Sequence, residues 1–359
     1  KIKYFYYSSN FWIFIIIMSN IKIRFISSVY INKMLVVDNI KKYLIKYLFF
    51  ISLFLFLQLN SGYAQGGISW RRPLLPGGSL LKYSDAINGQ ISVGLSYEHE
   101  QLDKAIYGKK SIPNYNKERT FNSNLTIITN YGITDQLSLT AFFPFRYILN
   151  EKVLFRGQNQ NQYDGGKYFR ESYGLGDIIL QTRFHKKIFN GNIPIIFGLG
   201  LKLSNGEINA TDLYGERISD NLQVGTGSVD PVFSIYLNKN IGEFLLSAGT
   251  FSRISGNENI YGYRYGNELH TLINLDYFEN HIIYGGIQFS YLLTTRDYYE
   301  YGKITRDRGG ESVYSSGKLG IKLTDNLDVE MTVQIPLIHN MNESQLISPM
   351  LIQFGSLYR

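Results

Sequence analysis

Ten charged residues stand at alternate positions within stretches that are otherwise apolar: Arg146, Asp177, Arg183, Lys202, Asp230, Arg253, Glu268, Lys318, Lys322 and Glu330. An ionised group in such a stretch is expensive unless it is paired or faces water, so these residues mark faces turned away from the apolar side. Glu98, Asn122, Asn124, His270, Asp276 and Asp328 share those faces, and acids nearly balance bases. Two chemistries fit. Charges along a confined polar path select the solutes that pass; charges that pair with one another fill and brace an interior. Asp177 and Asp230 are the sharpest candidates, each an acid beside glycines that permit a bulge or a close backbone approach. By strict alternation Asp177 shares a face with Tyr173, Leu175, Gln181 and Arg183. The bases best placed to neutralise it are Arg146, Arg183 and Lys202.

Catalytic and metal chemistry find less support. His99, His185, His270, His281 and His339 show no spacing that pairs them with a nucleophilic Ser or a second metal ligand. No phosphate loop, dinucleotide fingerprint or zinc spacing occurs. The chain has no cysteine, which excludes disulfides, a thiol nucleophile, a Cys metal site and a lipoprotein anchor. The expectation is therefore no catalytic residue, no cofactor and no metal.

The elements that must position the charges are strands. Gln136–Tyr147 places Leu137, Leu139, Ala141, Phe143, Phe145 and Tyr147 on one face, with Ser138, Thr140 and Arg146 on the other. Period-2 alternation of this kind makes one face dry and the other wet. Similar stretches recur at about 89–100, 119–131, 171–184, 193–203, 224–237, 243–254, 264–278, 281–293, 311–323, 327–337 and 345–358. Short turns such as Gly132–Asp135 and Thr324–Asn326 alternate with long polar loops, one of them at about 205–221. Residues 204–230 blur the alternation with Gly and Ser. Aromatics at 15%, with 29 Tyr, 34 Gly and only 8 Pro, suit many strands, glycine-assisted turns and aromatic girdles. The fold class read from this is all-β: a single transmembrane antiparallel β-barrel of about twelve strands over 89–359, with both termini on the short-turn, periplasmic side. Twelve strands lie between barrels filled by side chains and barrels with wide aqueous channels.

The net charge of +7 does not mark a nucleic-acid partner, because it is local. Residues 1–65 hold eight Lys or Arg and one acid, whereas the remainder holds twenty-eight of each sign. Lys41, Lys42 and Lys46, the apolar run Tyr47–Leu59, and small residues at Gly62 and Ala64 form a signal peptide over 34–64, cut after Ala64. Residues 1–33 are read as untranslated upstream sequence ahead of a start at Met34. Residues 65–88, with Pro73, Pro76, Gly77 and Gly78, are read as a periplasmic lead-in or plug.

Tyr173-Gly-Leu-Gly-Asp177, Gly225-Thr-Gly-Ser-Val-Asp-Pro231, Ser316-Gly317, Val333-Gln-Ile-Pro336 and Asn342-Glu-Ser-Gln345 resemble recurring blocks of the outer-membrane transporter family named for the meta-pathway of phenol degradation. The similarity runs over 89–358. Each block is short and glycine-rich, so their order and spacing carry it; the chain departs at its end, Tyr358-Arg359, where such barrels carry a terminal Phe. The resemblance implies a Gram-negative outer-membrane channel for passive uptake of small molecules, hydrophobic or aromatic ones included. Expected partners are outer-membrane lipids, a small-molecule solute and the barrel-assembly machinery during insertion. A structural or adhesive barrel, and a barrel lipid hydrolase, are the alternatives.

Overall fold

The computed structural model describes residues 88–153, 166–188, 193–279, 282–299, 303–304 and 308–359. The expected upstream segment and signal peptide, and the lead-in but for its last residue, lie outside the described residues.

Twelve strands form the wall: β1 Ile91–Leu102, β2 Arg119–Thr134, β3 Leu137–Val153, β4 in two pieces (Lys167–Leu175 and Ile179–Ile188), β5 Ile193–Lys202 and β6 Asp230–Ile241. They continue as β7 Phe244–Arg253, β8 Glu268–Glu279, β9 Ile283–Thr294, β10 Gly310–Thr324, β11 Leu327–Met341 and β12 Leu351–Tyr358. Each pairs antiparallel with the next, and β12 returns to β1, with Val93 opposite Tyr358. The sheet is thus a closed barrel without free edges, which is how a sheet satisfies its backbone within a membrane. Among the described residues there is no α-helix.

Alternation decides which way each side chain points. On β3, Leu139, Phe145 and Tyr147 stand outward, while Ser138 and Thr140 are fully buried inside. The same holds on the far side, where Leu319 and Ile321 of β10 stand outward and Ser316 and Lys318 are buried. A one-residue slip would turn every one of these side chains to the wrong face.

The sequence reading needs four corrections, each with a local cause. β6 begins at Asp230, not near 224, because residues 203–229 turn into the barrel and bury Ile218, Leu222 and Val224. β8 begins at Glu268, since Tyr263–Arg264 pairs with Tyr298–Tyr299 in a separate small sheet. β12 begins at Leu351; Ser344–Ile347 leaves the wall to pair with Lys104–Tyr107. The fourth lies in β4. β3 pairs Phe145 with Leu175 but Phe142 with Ile179, so two residues of β3 oppose three of β4. This is a β-bulge, and Gly174 enters it at φ +139°, a conformation that side chains disfavour. The alternation flips across it. Tyr173 is 72% exposed, whereas Gln181 and Arg183 are buried, so Tyr173 and Leu175 do not share the inward face with them.

Candidate functional site

Five of the ten charged candidates meet at the long-loop ends of β4 to β8. Asp177, Lys202, Asp230, Arg253 and Glu268 follow one another across five adjacent strands with alternating sign. Lys202 Nζ lies 3.0 Å from Asp177 Oδ2 and 3.0 Å from Asp230 Oδ2. Arg253 lies 2.8 Å from Asp230 and 3.1 Å from Glu268. All five are buried, so none of these ions keeps its hydration, and each depends on its neighbours in the row. Of the three bases expected near Asp177, Lys202 takes the role.

The row also holds the loop 203–229 inside. Asp177 accepts from the backbone N–H of Gly206 at 3.0 Å and of Thr226 at 2.8 Å. Asp230 accepts from Ser228 Oγ at 2.9 Å and from the Gly256 N–H at 3.0 Å, while Arg253 donates to the Gly266 carbonyl at 2.8 Å. Gly206 and Gly225 lie backbone to backbone: a Cβ on Gly225 would stand 2.4 Å from the Gly206 carbonyl carbon. The two glycine-acid blocks of the sequence, at 173–177 and 225–231, therefore meet in space with Asp177 between them. Further along, Leu222 and Ile218 pack on the inward Ile148 of β3, and Asn259 and Tyr265 hold Asp220 from the loop between β7 and β8.

Below this row the inward face is apolar. Phe142, Ile179, Ile196, Val232, Tyr236, Phe251 and Leu272 form one buried cluster on β3 to β8. Sequence reasoning missed it by treating inward positions as polar; an apolar residue in the polar phase of a strand, as Phe142 is on β3, was the available signal. Arg183 joins this cluster. Its guanidinium carbon stands 5.6 Å from the Phe142 ring centre and 5.8 Å from that of Tyr236, and its Nε donates to Gln181 Oε1 at 3.0 Å.

The other candidates lie apart. Lys318 pairs with Asp276 at 2.7 Å towards the short-turn end, where Glu330 accepts from Tyr284 Oη at 3.2 Å. The Tyr284 ring lies where a Cβ on Gly320 would be. Lys322 is half-buried opposite Asp328, which Arg359 engages. Arg146 has its Nε 3.4 Å from the position of a Cβ on Gly176, so the glycine makes room for it.

From β9 round to β2 the inward face carries mostly uncharged polar residues. The side-chain oxygens of Asn122 and Asn124, and the hydroxyls of Thr126, Ser290, Ser316 and Thr332, are buried without a hydrogen-bond partner among the described residues. Groups of this kind are satisfied by water or by a passing polar solute. At the long-loop end a cavity of about 440 Å³ opens, with Asn116, Glu118, Asn150, Arg170, Asn221 and Arg308 in its wall.

Two Ser–His contacts arise that the chain spacing did not reveal, because they join neighbouring strands. His99 Nδ1 lies 2.9 Å from Ser123 Oγ, and His185 Nε2 lies 2.9 Å from Ser138 Oγ. No carboxylate is hydrogen-bonded to the second nitrogen of either ring among the described residues, so neither pair has the orienting third member of a triad. Groups of three or more metal-ligating side chains are likewise absent among the described residues.

No protein-family model and no curated protein matches the chain. Among solved structures it is similar to the COG4313 outer membrane channel from Pseudomonas putida F1, with a TM-score of 0.58, 13% identity, and 79% of this chain and 99% of that one covered. A Pseudomonas aeruginosa FadL homologue aligns with a TM-score of 0.41, at 10% identity over 77% of this chain and 91% of that one. The CymD monoaromatic hydrocarbon channel aligns at 0.40, also 10% identical, over 83% and 94%. The first of these likenesses gives the fold: a closed antiparallel β-barrel of the kind that channel has. The comparisons do not bear on phenol degradation.

Proposed function

We propose that this protein is a bacterial outer-membrane channel for passive uptake of small molecules with hydrophobic or aromatic character. The observation that carries the reading is the two-sided lumen: an apolar cluster from Phe142 to Leu272 on β3–β8 faces a wall of Ser, Thr, Asn and Gln on β9–β2. A small aromatic molecule with one polar group fits between two such walls, since its ring is drawn to one and its hydroxyl or carbonyl to the other. The outward apolar face suits lipid contact, the N-terminal segment suits export by a cleaved signal peptide, and the even strand count suits termini that both lie in the periplasm. Insertion of such a barrel calls on the assembly machinery of that membrane.

Liposome swelling with phenol and with a sugar of similar size tests the proposal. Phenol flux well above that of protein-free liposomes, with sugar flux little changed from theirs, is the expected result. Absence of flux for both, in protein whose migration on gels changes with heating as a folded barrel's does, would favour a structural or adhesive barrel. Release of fatty acid from phospholipid by the purified protein would instead favour a hydrolase, with His99 and Ser123 as the first pair to mutate.

A further inference from the structure

The other buried cations of the lumenal wall that form ion pairs point to one that does not. Lys202, Arg253 and Lys318 each lie within 3.0 Å of a carboxylate oxygen. Arg183 is only 3% exposed, yet its single hydrogen bond goes to the neutral Gln181 amide, and no carboxylate touches it among the described residues. The ring faces of Phe142 and Tyr236 offset part of the cost of burying the charge. They leave the two terminal nitrogens of the guanidinium, the fork that matches a carboxylate, without a hydrogen bond among the described residues.

We infer that Arg183 is an anion-recognition residue, and that the channel also takes small monocarboxylates whose other end is apolar, with the carboxylate on Arg183 and the ring or chain against Phe142, Tyr236 and Phe251. This rests on the channel reading above. The surroundings are suited to it in two ways. The apolar cluster excludes water, so a charge pair formed there is strong. Both cations of the charged row above it are already paired within the row, so they do not capture the anion first, and none of the row's carboxylates touches Arg183 among the described residues.

Full-length protein in liposomes is assayed for influx of benzoate and of phenol, as wild type, Arg183→Gln and Arg183→Lys. The wild type should pass both solutes. Arg183→Gln should lower benzoate flux by about tenfold, the size expected for a lost charge-assisted hydrogen bond, and lower phenol flux far less. Arg183→Lys keeps the charge and loses the fork, so it should fall between. A second measurement needs no variant: benzoate should inhibit phenol influx into wild-type liposomes, and benzylamine, with the same ring and the opposite charge, should not. Phenol flux without benzoate flux, equal inhibition by the two additives, or an equal fall of both fluxes in Arg183→Gln would overturn the inference and leave the channel reading standing. Failure of both solutes to enter through the wild type would remove the channel reading itself.

Discussion

The two halves of the lumenal wall solve the problem of buried polarity in opposite ways. From β4 to β8 the polar groups of the wall at the long-loop end are ions, and they are tied: five charges of alternating sign lock to one another and to the backbone of two loops. From β9 round to β2 most are small and neutral, and several have no protein partner among the described residues. Near the short turns that half carries Lys318, paired with Asp276 of β8, and Asp328, paired with Arg359. The difference teaches which half is framework and which is path. A buried ion left without its partner is heavily penalised, so an ionic row fixes a geometry. A hydroxyl or amide facing a polar space exchanges partners at small cost, so a neutral wall tolerates traffic.

The largest effect is expected where the tied half is cut. Asp230 sits between Lys202 and Arg253, and it is fully buried. Asp230→Asn leaves two cations facing each other around a neutral amide, at a cost of roughly 3–5 kcal/mol. Urea titration of the folded band on gels should show the loss, and an unchanged midpoint would mean that the row does not brace the barrel. Arginine on the outward face should distinguish the halves far less. Leu139→Arg on β3 and Leu319→Arg on β10 each place a charge against lipid, costing about 2–4 kcal/mol near the midplane. Similar losses in the two variants would confine the asymmetry to the lumen; a large difference between them would refute that.

A smaller structural effect, with a clear functional readout, is expected at the glycine contact. Gly225→Ala drives a methyl group into the Gly206 backbone and must displace the loop from Asp177. The wall itself does not depend on that contact, so the barrel should still form while single-channel conductance rises. Conductance equal to wild type would show that the loop does not narrow the path.

How much of this was legible in the sequence follows from which forces act locally. The strand count and the inward or outward phase of nearly every strand were readable, because period-2 alternation is written residue by residue. Lys202 opposite Asp177 was readable as well, since neighbouring strands put inward residues side by side. The bulge was not. It depends on three residues of β4 opposing two of β3, and a strict period carried across it assigned Tyr173 to the wrong face. The start of β6 was lost for a related reason: Gly225, Thr226 and Ser228 do not alternate because they serve Asp177 and Asp230 as backbone and hydroxyl donors rather than as wall. The apolar cluster was hidden by an assumption about polarity, although Phe142 and Ile196 stood in the sequence in the inward phase.

The smallest effect on stability is expected in the untied half, and it tests the comparison most directly. Ser316 on β10 and Thr332 on β11 are buried, and their hydroxyls have no protein partner among the described residues. Removing an oxygen that bonds nothing in the protein leaves no orphan behind, so Ser316→Ala with Thr332→Val should change stability by no more than about 0.5–1 kcal/mol. If the wall is a path, the same pair of changes should slow a solute that needs hydrogen bonds along its way and spare one that does not. Liposome influx of phenol measured beside that of toluene separates the two, because the molecules differ in the hydroxyl and are alike in the ring. Phenol slowed with toluene unchanged is the expected outcome. A loss of stability comparable to Asp230→Asn would mean that these hydroxyls are tied after all, and the division of the lumen into framework and path would fail.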